Sequence, residues 1–424
     1  MTDPSQNPEP SDQDAAGSTP APQSAHGSHA RAWRMAGVLS ALLIFSWAAY
    51  VGLTPNPKGA GNPGTSITAD HDPPLPAIAD EQSLTLVAPG RLIDASIMAD
   101  FEQSSGLKVR LVTYPDEDSF RGDAIAQTRT ADVVLTSGPN IRLLADAGRL
   151  QIMPLHRIDA AASLDPAMVT RVSAYDPDRF HALPYAWLTI GIGYDRSALT
   201  ERLGANADLS TWGLIFDPTS AARLASCGLQ SIDAPTAAFP AALAYLSRSP
   251  AASGVADIEA AASLWDGVKG FFNKFDSRDI ARNLANGEVC AAIAPSADIY
   301  QARGDARSRG VGSDIEFVIP REGAMLRVYF LAIAAQRERV DAAAQLVSYL
   351  LKPDVAAAMT NRKWIANAVT RSRNFLRPEV QDDVFIYPDA AVMARLTLEP
   401  AAPGNDSGLR SRLWRMINAP PPKR

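Results

Sequence analysis

Val318–Ala335 reads V-I-P-R-E-G-A-M-L-R-V-Y-F-L-A-I-A-A, and the prediction of the fold starts from this stretch. Two apolar runs flank Pro320-Arg321-Glu322-Gly323, whose proline and glycine predict a turn or hinge. The second run, from Met325 onward, is too apolar for a strand with one face in water. It is typical of a buried strand in a mostly parallel sheet, although a short apolar run is also compatible with a buried helix.

Arg327 and Tyr329 interrupt the second run, and their spacing places both side chains on the same side of a strand. An arginine inside such a run is costly unless it meets a partner or faces a cleft. Two interpretations follow. Arg327 forms a structural ion pair with an acid such as Asp298, or Arg327 and Tyr329 line a ligand cleft.

The chain before this stretch alternates strand and helix patterns. Leu84–Ala88, Leu107–Tyr114 and Ala131–Leu135 have strand patterns, and Ile97 and Phe101 mark one face of an intervening helix. Such alternation predicts βαβ units and an α/β fold with a parallel sheet. The full length of 424 residues is enough for two domains of ordinary size with additional segments.

The N-terminal region predicts export. Met1–Ala30 contains no Leu, Ile, Val, Phe, Trp or Tyr, so it cannot bury a core and is predicted to be disordered. Met35–Leu53 is uncharged and close to the roughly 20 residues that span a bilayer. Because Arg31 and Arg34 precede it, the segment is predicted to anchor the protein with its tail in the cytoplasm. A signal peptide cleaved after Ala48 is the alternative, and both interpretations export the same domain.

The composition and motifs favour a binding protein over other classes. A net charge of −6 without a basic face argues against nucleic acid as a partner. No His, Cys or acidic cluster has metal-ligand spacing, and no nucleophile motif or P-loop is present, so we expect no enzyme activity, metal or cofactor. Gly191-Ile192-Gly193 lacks the third glycine of a dinucleotide fingerprint and indicates close backbone packing instead. Cys227 and Cys290 either pair or remain as two buried thiols.

Several motifs together resemble the periplasmic polyamine-binding proteins of spermidine/putrescine ABC importers, most closely the putrescine-binding type. The family carries P-Y-x-W-x-T-x-G-I-G-Y, and this chain has it as Pro184–Tyr194. Further motifs that this chain shares with the family stand at Cys227-Gly228, Ile232–Pro235, Leu284–Cys290, Ile319–Ala324 and Tyr349–Ala356. The similarity extends from about Ser83 to Trp414.

The resemblance implies a two-lobed periplasmic binding protein of the type II-like class, with a small-molecule ligand, an ABC permease as partner and a disulfide between Cys227 and Cys290. The uncharged run Met35–Leu53 adds the prediction of one transmembrane helix before this domain and a location at the inner membrane. The predicted organisation is a tail (1–32), an anchor (33–53), a linker (54–82), lobe 1 (83–187 and about 326–370), lobe 2 (188–325 and about 371–418) and a final tail (419–424).

The residues that would bind a polyamine in the family are mostly replaced in this chain. Arg91 stands in the register of the aspartate in N-W-S-D-Y, and Thr236-Ala237 replaces an acidic pair. The serine after the third strand is kept as Ser137, and the aspartate of G-W-x-G-D is kept as Asp298. An aromatic residue and an aspartate become Arg327 and Tyr329, and a tyrosine becomes Ile365.

These replacements leave the ligand open. The cleft candidates are Arg91, Ser137, Asp298, Arg327 and Tyr329. The resemblance implies a polyamine, whereas two arginines with a tyrosine and a serine suit a carboxylate or phosphate, because the guanidinium group pairs with such anions through two hydrogen bonds. A third hypothesis is an anchored sensor or adaptor that does not transport, since an importer's binding protein needs neither a tether nor a cytoplasmic tail.

Overall fold

A computed structural model describes residues 83–178, 181–310, 314–335, 338–401 and 404–419. The predicted tail, anchor and linker at the N-terminus, and nearly all of the predicted C-terminal tail, lie outside the described residues. Within the described part, no helix is both long enough and apolar enough to cross a bilayer.

The strands follow the apolar runs of the sequence. They are β1 (Ser83–Pro89), β2 (Lys108–Tyr114), β3 (Val133–Ser137), β4 (Ala182–Asp195), β5 (Leu229–Ser231), β6 (Lys274–Phe275), β7 (Ala291–Pro295), β8 (Ile315–Val318), β9 (Ala324–Ile333), β10 (Ala366–Asn367) and β11 (Leu396–Leu398). Every residue of β9 is buried, and β4 is buried from Ala182 to Tyr194. The second apolar run of Val318–Ala335 is therefore a strand and not a helix.

Helices cover the sheet and connect its strands. They are α1 (Ala95–Ser105), α2 (Glu117–Thr128), α3 (Gly138–Asp146), α4 (Pro166–Arg171), α5 (Arg196–Leu203), α6 (Gly213–Phe216), α7 (Pro218–Leu224), α8 (Pro235–Tyr245), α9 (Val255–Val268), α10 (Ile280–Ala285), α11 (Ser296–Ser308), α12 (Val340–Leu350), α13 (Pro353–Lys363), α14 (Pro378–Gln381), α15 (Ala390–Arg395) and α16 (Gly404–Ile417). Short 3-10 turns occupy Gly90–Leu92, Leu155–Arg157, Asp159–Ser163, Lys269–Phe271 and Thr370–Phe375.

The sheet has the order β2-β1-β3-β9-β4-β7-β5-β6, with β8 and β10 paired to β4 and β11 paired to β9. The strands β1, β2 and β3 are mutually parallel and form what we call the first half. The strands β5, β6 and β7 are also parallel and form the second half. The long strands β4 and β9 lie between the halves and pair with each other.

The expectation that the apolar run from Met325 onward lies in a mostly parallel sheet is wrong for β9, the strand that this run forms. The strand β9 is antiparallel to both β3 and β4, and only the short β11 runs parallel to it. The strand β4 is likewise antiparallel to β7 and β9. An apolar run reports burial on both faces but carries no information about strand direction, and this is the reason for the error.

Two local predictions about glycine are confirmed. Gly323 has a φ of 109° and donates its N–H to the Pro320 carbonyl oxygen at 3.0 Å, which forms the predicted turn before β9. In β4, a Cβ placed on Gly191 would lie 2.3 Å from the Val318 oxygen, and one on Gly193 would lie 2.1 Å from the Ile299 side chain. The glycine pair therefore serves close packing, as its sequence context indicated.

The predicted disulfide is confirmed. Cys227 precedes β5 and Cys290 precedes β7, and these neighbouring parallel strands bring the two Cα atoms to 5.5 Å. The bond lies within the second half. It closes a loop between residues 63 positions apart, for which the chain-entropy description gives a stabilisation of about 4 kcal/mol.

Candidate functional site

The candidate site is a cleft where strands from both halves end. Arg91 follows β1 in the turn Gly90–Leu92, and Asp298 lies in the first turn of α11, directly after β7. Arg327 and Tyr329 lie on β9 and line the same cleft. Clefts at the carboxyl ends of strands, where the strand order reverses, are the usual ligand sites of open α/β sheets.

The cleft has two parts, which we call the inner cavity and the outer chamber. The inner cavity has a volume of about 20 Å³, which is room for about one water molecule. Its walls are Pro89, Arg91, Pro115, Asp116, Glu117, Asp118, Ile232, Ala234, Ser277, Pro295, Asp298, Arg327 and Tyr329. The outer chamber has a volume of about 700 Å³ and shares Arg91, Pro115, Ser277 and Asp298 with the inner cavity.

Arg327 is paired with a buried carboxylate, which the sequence analysis missed. Its Nε and Nη2 atoms each donate to one oxygen of Glu399 at 2.8 Å, and the exposed fractions of the two side chains are 7% and 0%. Burial alone would raise the pKa of Glu399, but the charge and hydrogen bonds of Arg327 outweigh burial and lower the pKa. The interpretation of Arg327 as a structural partner is therefore correct, but the acid is Glu399 and not Asp298.

Asp298 is paired with Arg91 instead. The Arg91 Nη1 atom donates to Asp298 Oδ1 at 2.7 Å, and the exposed fractions of the side chains are 23% and 15%. Burial lowers the pKa of Arg91, but the nearby charge of Asp298 outweighs this and the pKa is raised. The two guanidinium groups that suited an anionic ligand are thus already neutralised by acids of the chain itself.

The Glu117 carboxylate is hydrogen-bonded to neighbouring groups of the protein. Its carboxylate accepts hydrogen bonds from the Tyr114 and Thr136 hydroxyls, the Ser137 backbone N–H and the Asn140 side-chain amide, at 2.8–3.0 Å. These bonds tie the start of α2 to the end of β3. A carboxylate with its lone pairs occupied in this way serves to position the cleft wall and has little capacity left for a solute.

Asp116 and Asp118 supply the remaining negative charge. Burial raises the pKa of Asp118 to about 6, while its side chain keeps 26% of its surface exposed and its distance to Arg121 Nη1 is 3.8 Å. The inner cavity is lined by four carboxylates and two guanidinium groups, a net charge of −2 when all are ionised. The acids follow β2 in the sequence P-D-E-D, and acids at the end of a parallel strand are a signal that could have identified them.

The other two predicted site residues lie next to each other. Tyr329 is buried and lines the inner cavity, and burial raises its pKa to about 12. Ser137 is paired in register with Tyr329 and is fully buried, so it lies behind the cavity wall. Its hydroxyl has no hydrogen-bond partner among the residues that the structure describes. Four of the five predicted residues thus line the inner cavity, and Ser137 does not.

The sequence is similar to known binding proteins over most of its length. The family of bacterial extracellular solute-binding proteins matches residues 96–384. The putrescine-binding periplasmic protein PotF of Escherichia coli (strain K12) is 32% identical over 343 residues, covering 80% of this chain and 92% of that protein. The putrescine-binding periplasmic protein SpuD of Pseudomonas aeruginosa is 29% identical and covers 80% of this chain and 93% of its own.

Solved structures share the fold. The putative spermidine/putrescine ABC transporter protein from Listeria monocytogenes superposes with a TM-score of 0.70 at 22% identity, covering 80% of this chain and 99% of that one. A lipoprotein of Treponema pallidum gives a TM-score of 0.67 at 20% identity, covering 79% and 99%. At these identities the likeness concerns the fold alone, and it bears out the expected two-lobed α/β binding-protein architecture.

Proposed function

The chain belongs to the bacterial extracellular solute-binding proteins, and from this premise we propose that it binds a polyamine outside the cytoplasm and delivers it to an ABC importer. The relatives with the longest coverage are described as putrescine-binding periplasmic proteins. These descriptions favour a polyamine over the anion and over the sensor or adaptor that the sequence analysis also considered.

The charge of the cleft supports a cationic solute. Each arginine of the inner cavity already has a carboxylate partner, Asp298 for Arg91 and Glu399 for Arg327. An anion would have to displace one of these carboxylates and would then meet the remaining acids. An ammonium group would instead find Asp118, whose ion pair with Arg121 is loose at 3.8 Å. It would also find Asp116, which accepts only neutral hydrogen bonds, from the Ser119 backbone N–H and hydroxyl at 2.8 Å. A desolvated ammonium needs such a carboxylate partner.

The observation that carries this proposal is the excess of carboxylates in the inner cavity, in a chain 32% identical to a putrescine-binding protein. Of the predicted site residues, we propose that Asp298 and Tyr329 contact the solute directly. Arg327 and Ser137 support the wall behind it. The role of Arg91 is treated in the next subsection.

Isothermal titration calorimetry of the purified protein tests the proposal. Putrescine and spermidine should give saturable binding, whereas succinate and phosphate at matched ionic strength should give none. Asp116→Asn and Asp118→Asn should each weaken polyamine binding, and Glu379→Gln, an exposed acid in α14, is the matched control. Saturable binding of succinate or phosphate without binding of either amine would overturn the polyamine assignment.

We also propose that residues 33–53 anchor the protein to the inner membrane. The proposal rests on the uncharged run Met35–Leu53 and the preceding Arg31 and Arg34. An epitope tag before Ala30 should fractionate with inner membranes and resist protease added from the periplasmic side. Recovery of a soluble periplasmic product that begins near Ala49 would contradict the anchor and support a cleaved signal peptide.

A further inference from the structure

Arg91 and Asp298 form a direct polar connection between the two halves of the sheet. Arg91 belongs to the first half, because it follows β1, and Asp298 belongs to the second half, because α11 follows β7. The distance of 2.7 Å between Nη1 and Oδ1 is that of a charge-assisted hydrogen bond. The pair therefore spans the cleft and joins its two sides.

The ion pair stands between the inner cavity and the outer chamber. Both residues line both spaces. The outer chamber, at about 700 Å³, has room for a diamine, whereas the inner cavity, at about 20 Å³, holds about one water molecule. Because Arg91 occupies Asp298 Oδ1, a polyamine can pair with that oxygen only after Arg91 and Asp298 separate.

A guanidinium group offers Asp298 the same interaction that a ligand ammonium would offer. The two cations compete for one carboxylate, and Arg91 has the advantage that it is covalently present. Its positive charge also repels an incoming amine. The pair is nevertheless able to open, because its side chains keep 23% and 15% of their surface exposed. The Arg327–Glu399 pair, with 7% and 0% exposed, has no comparable access to water.

We propose that Arg91 acts as a built-in competitor of the solute: it holds the empty cleft closed by occupying Asp298, and a polyamine binds only by displacing it. The identity of the ligand rests on the proposed function, but closure of the empty cleft does not. Arg91 thereby determines specificity, because a solute must carry a cationic end that can replace a guanidinium group at Asp298.

Small-angle X-ray scattering of the ligand-free protein tests the closure. Arg91→Met removes the charge and keeps the bulk of the side chain, and Asp298→Asn breaks the same pair from the other half. Both variants should have a larger radius of gyration than the wild type. Arg142→Ala, which breaks an ion pair within α3, is the matched control and should scatter like the wild type. An unchanged radius in both variants would overturn the inference, and the second variant keeps the test valid should the first fail to fold.

Calorimetry with putrescine on the same proteins tests the competition. Arg91→Met should bind putrescine more tightly by about tenfold or more, because the competing cation is gone. Asp298→Asn should bind putrescine more weakly than the wild type, although its cleft should be as open as that of Arg91→Met. If the wild type binds putrescine, and Arg91→Met has the larger radius of gyration but binds putrescine no more tightly, then Arg91 does not compete with the solute. If no variant binds putrescine, the proposed function fails, and the scattering result alone decides whether Arg91 closes the cleft.

Discussion

Two arginine–carboxylate pairs of the cleft have the same chemistry and different surroundings. Arg327 and Glu399 are joined by two hydrogen bonds and are almost completely buried. Arg91 and Asp298 are joined by one, across the cleft and partly in water. Removing one partner of a fully buried pair leaves an uncompensated charge, whereas a pair with access to water contributes less to stability. From this difference in burial we propose that the first pair stabilises the fold and that the second takes part in binding.

Breaking the buried pair should have the largest effect. Glu399→Gln leaves the Arg327 charge without a counterion, and we expect the free energy of unfolding to fall by about 3–5 kcal/mol at neutral pH. Thermal and urea unfolding of the ligand-free protein measure this. The double variant Arg327→Met with Glu399→Leu should recover much of the loss, because it removes both charges together. A Glu399→Gln protein as stable as the wild type would show that the pair is not structural.

The same pair should produce a dependence of stability on pH. The folded-state pKa of Glu399 lies below its ordinary value of 4.5, so its contribution is complete above that value. The contribution is lost as the pH falls through the lowered folded-state pKa. The difference in stability between the wild type and Glu399→Gln should therefore be largest near pH 7 and shrink in strong acid. A difference independent of pH would contradict this assignment.

The disulfide lies within the second half and does not cross the cleft, so we expect it to affect stability and not binding. Replacing Cys227 and Cys290 by serine should reduce stability by about 2–4 kcal/mol, since the unfolded chain is no longer constrained. Putrescine binding by the folded variant should stay close to that of the wild type. A large loss of affinity without a loss of stability would show that the bond shapes the cleft.

Asp118 should couple binding to pH with a smaller effect. Burial raises its pKa to about 6, so it is mostly ionised at pH 7.5 and mostly protonated at pH 5. Because an ammonium group favours the ionised form, polyamine affinity should weaken by up to about tenfold between these two values. Asp118→Asn should show a flatter profile over the same range. A wild-type affinity that is constant from pH 7.5 to pH 5 would exclude Asp118 as a solute contact.

Local signals in the sequence predicted local structure correctly. The apolar runs identified β1, β3 and β9, the Pro320–Gly323 sequence identified the turn between β8 and β9, and the glycines of β4 identified close packing. A long-range pairing left no such signal. Glu399 meets Arg327 from 72 residues away, because β11 pairs with β9 and Leu398 lies opposite Leu326. No spacing in the chain reveals that register.

The candidate site shows the same limit. Residue types alone made Arg91 and Arg327 look available for an anion, since the sequence does not show which acids neutralise them. The acids Asp116 and Asp118 were overlooked although they directly follow a predicted strand, Leu107–Tyr114. Reading the residues after every parallel strand would have placed them in the cleft, because such strand ends meet at one edge of the sheet.

One thermal-shift experiment tests the division between the two pairs most directly. Wild type, Glu399→Gln and Asp298→Asn are melted with and without putrescine. We expect Glu399→Gln to melt at a clearly lower temperature but still to be stabilised by putrescine. We expect Asp298→Asn to melt near the wild type without ligand and to lose most of the stabilisation by putrescine. The reverse pattern, with stability lost in Asp298→Asn and the putrescine shift lost in Glu399→Gln, would show that the two pairs have the opposite roles.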